Sequence, residues 1–373
     1  MIDSLAIGGA QKHVRQMACG LAGRGHRVVV YCLNDLAHPV YREALAAGGV
    51  ELKVIGKVKV LSGCGLLEVG WALWRDGCDV LVTVLFVSTL FGRVVAAMVG
   101  GIPVITCLQA RNINYSRAQK LVLRLTAGLT DLTVTNSRNA IGWAVVNEGV
   151  DLRRCVFVAN AVDPIEPVGP GPDKPRTNWS ELGFPQLEGK TVIGSLGRLH
   201  RQKGYDVLLE AFAGIASTLK DCHVLLVGEG PERAALVAQA KRLGLERRVW
   251  LAGERAETRP LLEKMDIYVQ PSRYEGTPNA VMEAMTLGRS VVASAVDGSS
   301  ELVVDPSYGW LVPAEDPQAL AQGLFRMSND PMSREYLGGR ARERMTENFS
   351  GDALCSSCER IFTGVISAPL NLQ

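Results

Sequence analysis

Two carboxylates, Glu275 and Glu283, stand eight residues apart in the run E-G-T-P-N-A-V-M-E-A. A strand-like stretch, Ile267–Gln270, precedes them. Thr277 is a good helix N-cap, and Pro278 suits the first helical position, where its missing N–H costs nothing. Glu275 and Gly276 then fall in the loop after the strand, and Glu283 lies between one and two turns into the helix. The N–H groups of Asn279 and Ala280 would point outward at the helix start, where the dipole also favours an anion. Two acids around an anion socket suit a sugar joined to a phosphate.

A second loop follows another strand candidate, Val192–Ser195, and reads G-R-L-H-R-Q-K-G from Gly197 to Gly204. Arg198 and Lys203 on one strand-to-helix loop can reach a single dianionic group, one as a planar fork and the other as a point charge. Gly228-Glu229-Gly230-Pro231 follows a third strand and lacks the spacing of a Walker or dinucleotide loop, which leaves a tight turn near a nucleotide. Asp297-Gly298-Ser299-Ser300-Glu301 extends the same loop edge. Near the start, Gly8-Gly9-Ala10-Gln11 opens a helix, and its glycines would let backbone approach a phosphate closely. No two aspartates stand two apart, and H-E-x-x-H and G-x-S-x-G are absent. Charge on a leaving group would therefore fall to Arg198, Lys203 and the Asn279 and Ala280 amides, with no metal and no cofactor expected.

The elements that must position these loops alternate. Strand candidates in the first half are Arg27–Leu33, Val80–Val84, Val104–Cys107, Leu132–Thr135 and Val156–Ala159. They are interleaved with helical periodicity over Ala10–Ala22, Val40–Ala47 and Gln119–Ala127. A Pro/Gly-rich stretch after Asn160 cannot hold a ladder and reads as a linker. A second series follows: Val192–Ser195, Val224–Val227, Val249–Leu251, Ile267–Gln270 and Val291–Ser294, with helices near Tyr205–Ser217, Pro231–Leu243 and Pro278–Leu287. Strand and helix in turn imply parallel sheets covered on both faces, with ligands at the carboxyl ends of the strands. The expected class is α/β, two doubly wound Rossmann-like domains facing a central cleft. Residues 1–163 form the first, 164–178 the linker and 179–348 the second, while 349–373 add a last helix. Only Met1–Leu5 precede the first glycine turn, so the first strand is expected to be very short or truncated.

At 373 residues the chain is long enough for two cores, and 47% hydrophobic with 21% charged residues excludes a disordered chain. Residues 1–163 carry 17 Lys+Arg against 11 Asp+Glu, and the remainder carries 23 against 27. A basic first half suits an acidic membrane surface or an anionic acceptor, and equally a scattered, solvated charge. Nine cysteines with irregular spacing fit a reducing compartment, and Cys355-x-x-Cys358 reads as two turn-spaced positions on a late helix. No signal peptide is visible, and the apolar region Val80–Leu108, broken by Arg93 and Gly100-Gly101-Ile102-Pro103, falls short of a membrane span.

Taken together, G-G-A-Q, N-A-V-D at Asn160–Asp163, G-R-L-H-R-Q-K-G, V-G-E-G-P, E-G-T-P-N-A-V-M-E-A-M and G-S-S-E-L resemble the family-4 retaining glycosyltransferases of GT-B fold. The resemblance implies that Arg198 and Lys203 hold a donor diphosphate beside Gly197 and Gly228. Glu275 would meet the transferred sugar and Glu283 the ribose, with Gly9 approaching the phosphates from the first domain. It implies a last helix crossing back to that domain, and front-face transfer in which the leaving phosphate receives the acceptor's proton. Where the family often has histidine after the strand Val104–Cys107, this chain has Leu108-Gln109-Ala110-Arg111, which makes Arg111 a candidate for acceptor or sugar contacts. The expected activity is metal-independent transfer of a hexose from a nucleotide-sugar to a glycan or lipid-linked glycan. The protein is expected in the cytoplasm, peripheral on the membrane, with no nucleic-acid partner. A catalytically silent nucleotide-sugar-binding or scaffold protein of the same fold is the alternative, ahead of an epimerase or phosphorylase.

Overall fold

The computed structural model describes residues 1–6, 8–109, 115–162 and 178–367. The chain divides into two compact units, Met1–Asp163 with Phe349–Gln373, and Pro164–Asn348. All but the last residue of the expected linker 164–178 lies outside the described residues.

In unit 1 the elements run α1 (Gly9–Gly23), β1 (Val29–Cys32), α2 (Pro39–Ala47), β2 (Glu51–Val54), α3 (Lys57–Ser62), α4 (Cys64–Arg75), β3 (Leu81–Val84), α5 (Phe86–Val99), β4 (Val104–Leu108), α6 (Arg117–Thr126), β5 (Leu132–Thr135), α7 (Arg138–Glu148) and β6 (Cys155–Phe157). The greasy region around Arg93 is thus a strand, a helix buried along one face only, and a second strand. Arg93 itself is buried and donates to the Thr130 and Thr126 hydroxyls and the Leu123 carbonyl. The parallel ladders are β1–β2 and β3–β4–β5–β6. Between them lies Met1–Asp3. Ile2 donates its N–H to Tyr31 (2.9 Å) and accepts from Leu33 N–H (3.0 Å), while Val84 N–H donates to the Met1 carbonyl (3.0 Å). The short opening segment therefore occupies the central slot of the sheet, with Ile2 and Leu5 fully buried. Asp3 then caps α5, accepting from the N–H groups of Val87 (3.0 Å) and Ser88 (2.6 Å).

Unit 2 contains β7 (Thr191–Leu196), α8 (Tyr205–Ala216), β8 (Cys222–Val227), α9 (Arg233–Arg242), β9 (Val249–Leu251), α10 (Arg259–Lys264), β10 (Ile267–Gln270), α11 (Asn279–Thr286), β11 (Ser290–Ser294), α12 (Asp297–Leu302), β12 (Trp310–Val312), α13 (Pro317–Asn329) and α14 (Pro331–Asn348). Its six strands form one parallel sheet in the order β12-β11-β10-β7-β8-β9. Strands β8, β10 and β11 are buried along their whole length, as expected for a sheet covered on both faces. The last helix, α15 (Gly351–Ser367), belongs to unit 1 and packs on α1. There Arg24 donates to Glu359 (2.9 Å) and His26 pairs with the same carboxylate (2.7 Å), while Cys355 and Cys358 are buried free thiols.

The alternation in the sequence located most of these elements. β2 and β12 escaped it because they are short and only partly buried, so no apolar run marks them. α11 begins at Asn279, with Pro278 rather than Thr277 as its cap residue and no side-chain cap bond from it. The Pro278 ψ of 101° is extended, which moves the first helical position one residue on.

Candidate functional site

Unit 2 places its chemistry at one edge of its sheet. The chain runs β7→β8→β9 in one direction and β10→β11→β12 in the other, so β7 and β10 flank the point where the strand order reverses. Loops leaving the carboxyl ends of two such strands diverge, and the gap between them is where open α/β sheets bind ligands. The loop after β7 carries Gly197, Arg198 and Lys203, and the loop after β10 carries Glu275 and Gly276.

These two loops are stitched together. Arg273 N–H donates to the Gln202 carbonyl (2.8 Å), and the Arg273 guanidinium grips both oxygens of Asp206 (2.8 Å each) and Glu315 (2.7 Å). The Arg273 bonds hold the Asp206 carboxyl below its usual range. Gly204, at φ 65°, lies so close that an added Cβ would sit 2.0 Å from the Pro271 carbonyl oxygen. A side chain there would push the loops apart.

Lys203 and Glu275 meet at the centre. The Lys203 ammonium donates to Glu275 Oε1 at 2.5 Å, with the two side chains 18% and 8% exposed. Glu275 Oε1 also accepts from Ser272 Oγ (2.7 Å) and Gln270 Nε2 (3.0 Å), while Gln202 Nε2 lies 3.5 Å from its other oxygen. Tyr268 in turn donates to Gln270 Oε1 (2.7 Å). Burial drives the Tyr268 hydroxyl far up, and the nearby charges of Tyr205, Glu283 and Glu275 add to the rise, so it stays a neutral donor. A buried carboxylate thus sits at the end of a chain of donors, oriented and charge-compensated, as a group must be to hold hydroxyls in a fixed geometry.

The surrounding glycines are set by contact. An added Cβ on Gly228, at φ 142°, would lie 2.1 Å from the Gly197 carbonyl oxygen, and one on Gly298 2.3 Å from that of Gly276. Four strand-end loops therefore pack backbone to backbone. Asn279 and Ala280 occupy the first turn of α11, whose N–H groups the helix cannot satisfy internally, and Glu283 lies just over one turn on. Arg198 is exposed, and its guanidinium makes no hydrogen bond or ion pair among the described residues. Of the two cations expected to hold one anion, Arg198 is the open one and Lys203 is engaged by Glu275.

In unit 1, Gly8 precedes α1 and its carbonyl accepts from the Tyr41 hydroxyl (3.3 Å), while Gln11 donates to Ser4 (3.2 Å) and closes the turn. Gly9 opens the helix. Arg111 lies outside the described residues. Sequence reasoning missed Gln202, Gln270, Ser272 and Arg273. The polar residues ending β10, in a strand otherwise apolar, were the available signal.

Residues 7–166 match the model of the Glycosyltransferase Family 4 domain, and residues 190–330 match that of the Glycosyl transferases group 1 domain. The chain belongs to the family 4 glycosyltransferases. Among curated relatives it is 25% identical to an N-acetylgalactosaminyltransferase of Campylobacter jejuni that acts on N-acetylgalactosamine-N,N'-diacetylbacillosaminyl-diphospho-undecaprenol, over 70% of this chain and 68% of that one. It is 31% identical to the lipopolysaccharide core biosynthesis glycosyltransferase LpsE of Rhizobium meliloti, over 44% of this chain and 47% of that one. The chain thus spans about half the length of the second relative. Its fold matches that of Anabaena HepE, solved in complex with UDP, with a TM-score of 0.81 at 20% identity over 97% of this chain and 98% of that one. The fold is GT-B, two Rossmann-like units with parallel sheets.

Proposed function

We propose that this glycosyltransferase moves a hexose-type sugar from a nucleoside-diphosphate sugar to a glycan or lipid-linked glycan, with retention and without a metal ion. The observation that carries the reading is the convergence of Lys203, Glu275 and the α11 N-terminus at the strand-order switch of unit 2. An incoming diphosphate offers Lys203 and Arg198 a second anionic partner. Lys203 then bridges phosphate and Glu275, and the carboxylate accepts from the hydroxyls of the sugar. The α11 amides and the two cations stabilise charge growing on the leaving phosphate. That phosphate receives the acceptor's proton, so no separate general base is required. By the resemblance, Glu283 would meet the ribose, the Gly8-Gly9 turn the phosphates, and Arg111, outside the described residues, the acceptor or the sugar.

Support for the donor class comes from HepE structures containing UDP and UDP-glucose, and for the acceptor class from relatives named for a diphospho-undecaprenol glycan and a lipopolysaccharide core. A lipid-linked acceptor entails work at a membrane surface, and the basic first half is consistent with that. No helix among the described residues is long and apolar enough to cross a membrane; the association that belongs to this reading is peripheral, on the cytoplasmic face.

The test is a thermal-shift screen with UDP-, GDP- and ADP-sugars. A ligand at 100 times its dissociation constant stabilises by about 2.7 kcal/mol. Saturable stabilisation by one base series, followed by transfer that survives EDTA and yields a product of unchanged anomeric configuration, is the expected outcome. A folded protein that binds none of them overturns the reading.

A further inference from the structure

One face of unit 1 exposes more apolar surface than its fold requires. The connections β2→β3→β4→β5 all advance in the same direction across the sheet, so right-handed crossovers place α4, α5 and α6 on one side of it. α4 packs on α5 and α5 on α6. Helix α6 buries only Leu123 and turns Leu121, Val122 and Leu125 outward, at 56%, 40% and 76% exposure. At helical spacing these three occupy an arc of about 100°, and Arg117, Lys120 and Arg124 fill the adjoining arc. No acidic residue occurs between Tyr115 and Thr130. On the flanking helices Val58, Leu61, Leu67, Trp71 and Trp74 are also exposed, the two tryptophans at 58% and 70%. Met98 on α5 lies between the two groups at 54%. Lys57, Lys59 and Arg75 accompany them, with Lys59 paired to Glu68 (2.7 Å) and Arg75 to Asp76 (2.7 Å).

We propose that this α3–α6 face is where the protein docks on an anionic lipid bilayer. Apolar side chains beside the α6 row of Arg117, Lys120 and Arg124, which has no acid among its neighbours in sequence, match the two layers of such a surface. The aliphatic and indole groups enter the boundary between headgroups and acyl chains, and the cations meet lipid phosphates. A protein partner would require acidic groups opposite the cations and a shaped apolar socket; a lipid surface requires neither. Because the helices lie against the sheet, their axes run parallel to the membrane and nothing has to span it. This inference rests on the reading that the acceptor is lipid-linked, and it locates the surface that would bring the enzyme to such an acceptor.

The test uses the full chain, floated on a density gradient with phosphatidylcholine vesicles with or without phosphatidylglycerol. Binding to the anionic vesicles alone is expected, decreasing with added salt and accompanied by a blue shift of tryptophan emission. Leu121→Glu with Leu125→Glu should lower the bound fraction at least tenfold. Arg117→Gln, Lys120→Gln and Arg124→Gln should each lower it about fivefold. All of these sites are on the surface, so the variants should keep the parent's melting temperature and its stabilisation by nucleotide-sugar. Equal binding to neutral vesicles, or unchanged binding by both sets of variants, overturns the proposal. So does a dimer in solution that the leucine variants dissolve, since a second copy would then cover the face. Vesicle binding by a protein that binds no nucleotide-sugar would uphold the docking surface while the functional reading failed.

Discussion

The two parallel sheets of this glycosyltransferase are closed in different ways. In unit 2, six strands pair without interruption, and of the strands flanking the switch point β10 is buried throughout and β7 at every residue but Thr191. In unit 1, the ladders β1–β2 and β3–β6 meet across Met1–Asp3, which makes isolated bridges to Cys32 and Val84. A cavity of about 380 Å³ lies alongside, lined by Met1, Met17, Val29, Tyr31, Val82 and Phe362 among others. The continuous sheet can hold charged groups to a fixed geometry, because every strand under the loops is braced on both sides. The seamed sheet instead depends on a few buried apolar side chains, Ile2 foremost.

The sharpest way to test the contrast is to remove charge in the braced unit. Glu275→Gln should lower kcat by 10²-fold or more while keeping donor binding, since the donor chain behind it stays in place. Lys203→Met should cost both affinity and stability, the latter by about 3 kcal/mol, because it leaves a buried carboxylate unpaired. The double variant should regain most of that stability and no activity. Recovery of nothing in the double variant would show that the pair is not coupled as the 2.5 Å contact implies.

Next in size is the seam. Ile2→Ala should destabilise by about 3 kcal/mol, as truncation of a fully buried isoleucine does. Denaturant titration of unit 1 tryptophans Trp71 and Trp74 would read it, and stabilisation of unit 2 by nucleotide-sugar should be unaltered. Ile193→Ala, at a fully buried position of β7, should cost a similar amount and weaken that stabilisation as well. Identical donor responses from the two variants would erase the distinction between the sheets.

A third effect also belongs to unit 1. His13 on α1 is buried, its Nδ1 has no partner among the described residues, and desolvation lowers its pKa to about 4. The unfolded imidazole titrates near 6.5, so between those values the unfolded state binds more protons. Through this group, stability should therefore fall as pH drops from about 6.5 to 4, by up to about 3 kcal/mol. His13→Leu should remove the slope, as melts across the pH range would reveal. The smallest effect expected is from Arg273→Gln, which loosens the loop stitching. A rise in KM with little change in melting temperature would identify it as a positioning residue for the Lys203 and Glu275 loops.

The legible parts of this protein were those encoded over short stretches. The strands under the site, and the loops bearing Gly197, Arg198, Lys203, Glu275 and Glu283, could be read because strand, glycine turn and helix start are neighbours in sequence. The helix start at Asn279 was misplaced by one residue, since Thr277 and Pro278 both carry entry signals and only the extended Pro278 backbone decides between them. Gln270 and Ser272 went unread because polar residues at a strand end also read as ordinary turn residues, and only the fold shows that both donate to Glu275. The opening segment was judged by length alone, whereas its place between β1 and β3 depends on strand order.

By itself the sequence determined two alternating α/β units, the strand-end loops that carry the chemistry, and the family those motifs mark. Tertiary structure alone decided that Lys203 is held by Glu275 while Arg198 stays open, that Met1–Asp3 fills the seam of the first sheet, and that apolar and basic groups of α3–α6 share one face. The physical reason is range. Hydrophobic period, caps and turns act over a few residues, but Lys203 and Glu275 are 72 residues apart and come together only once the strand order sets β7 beside β10.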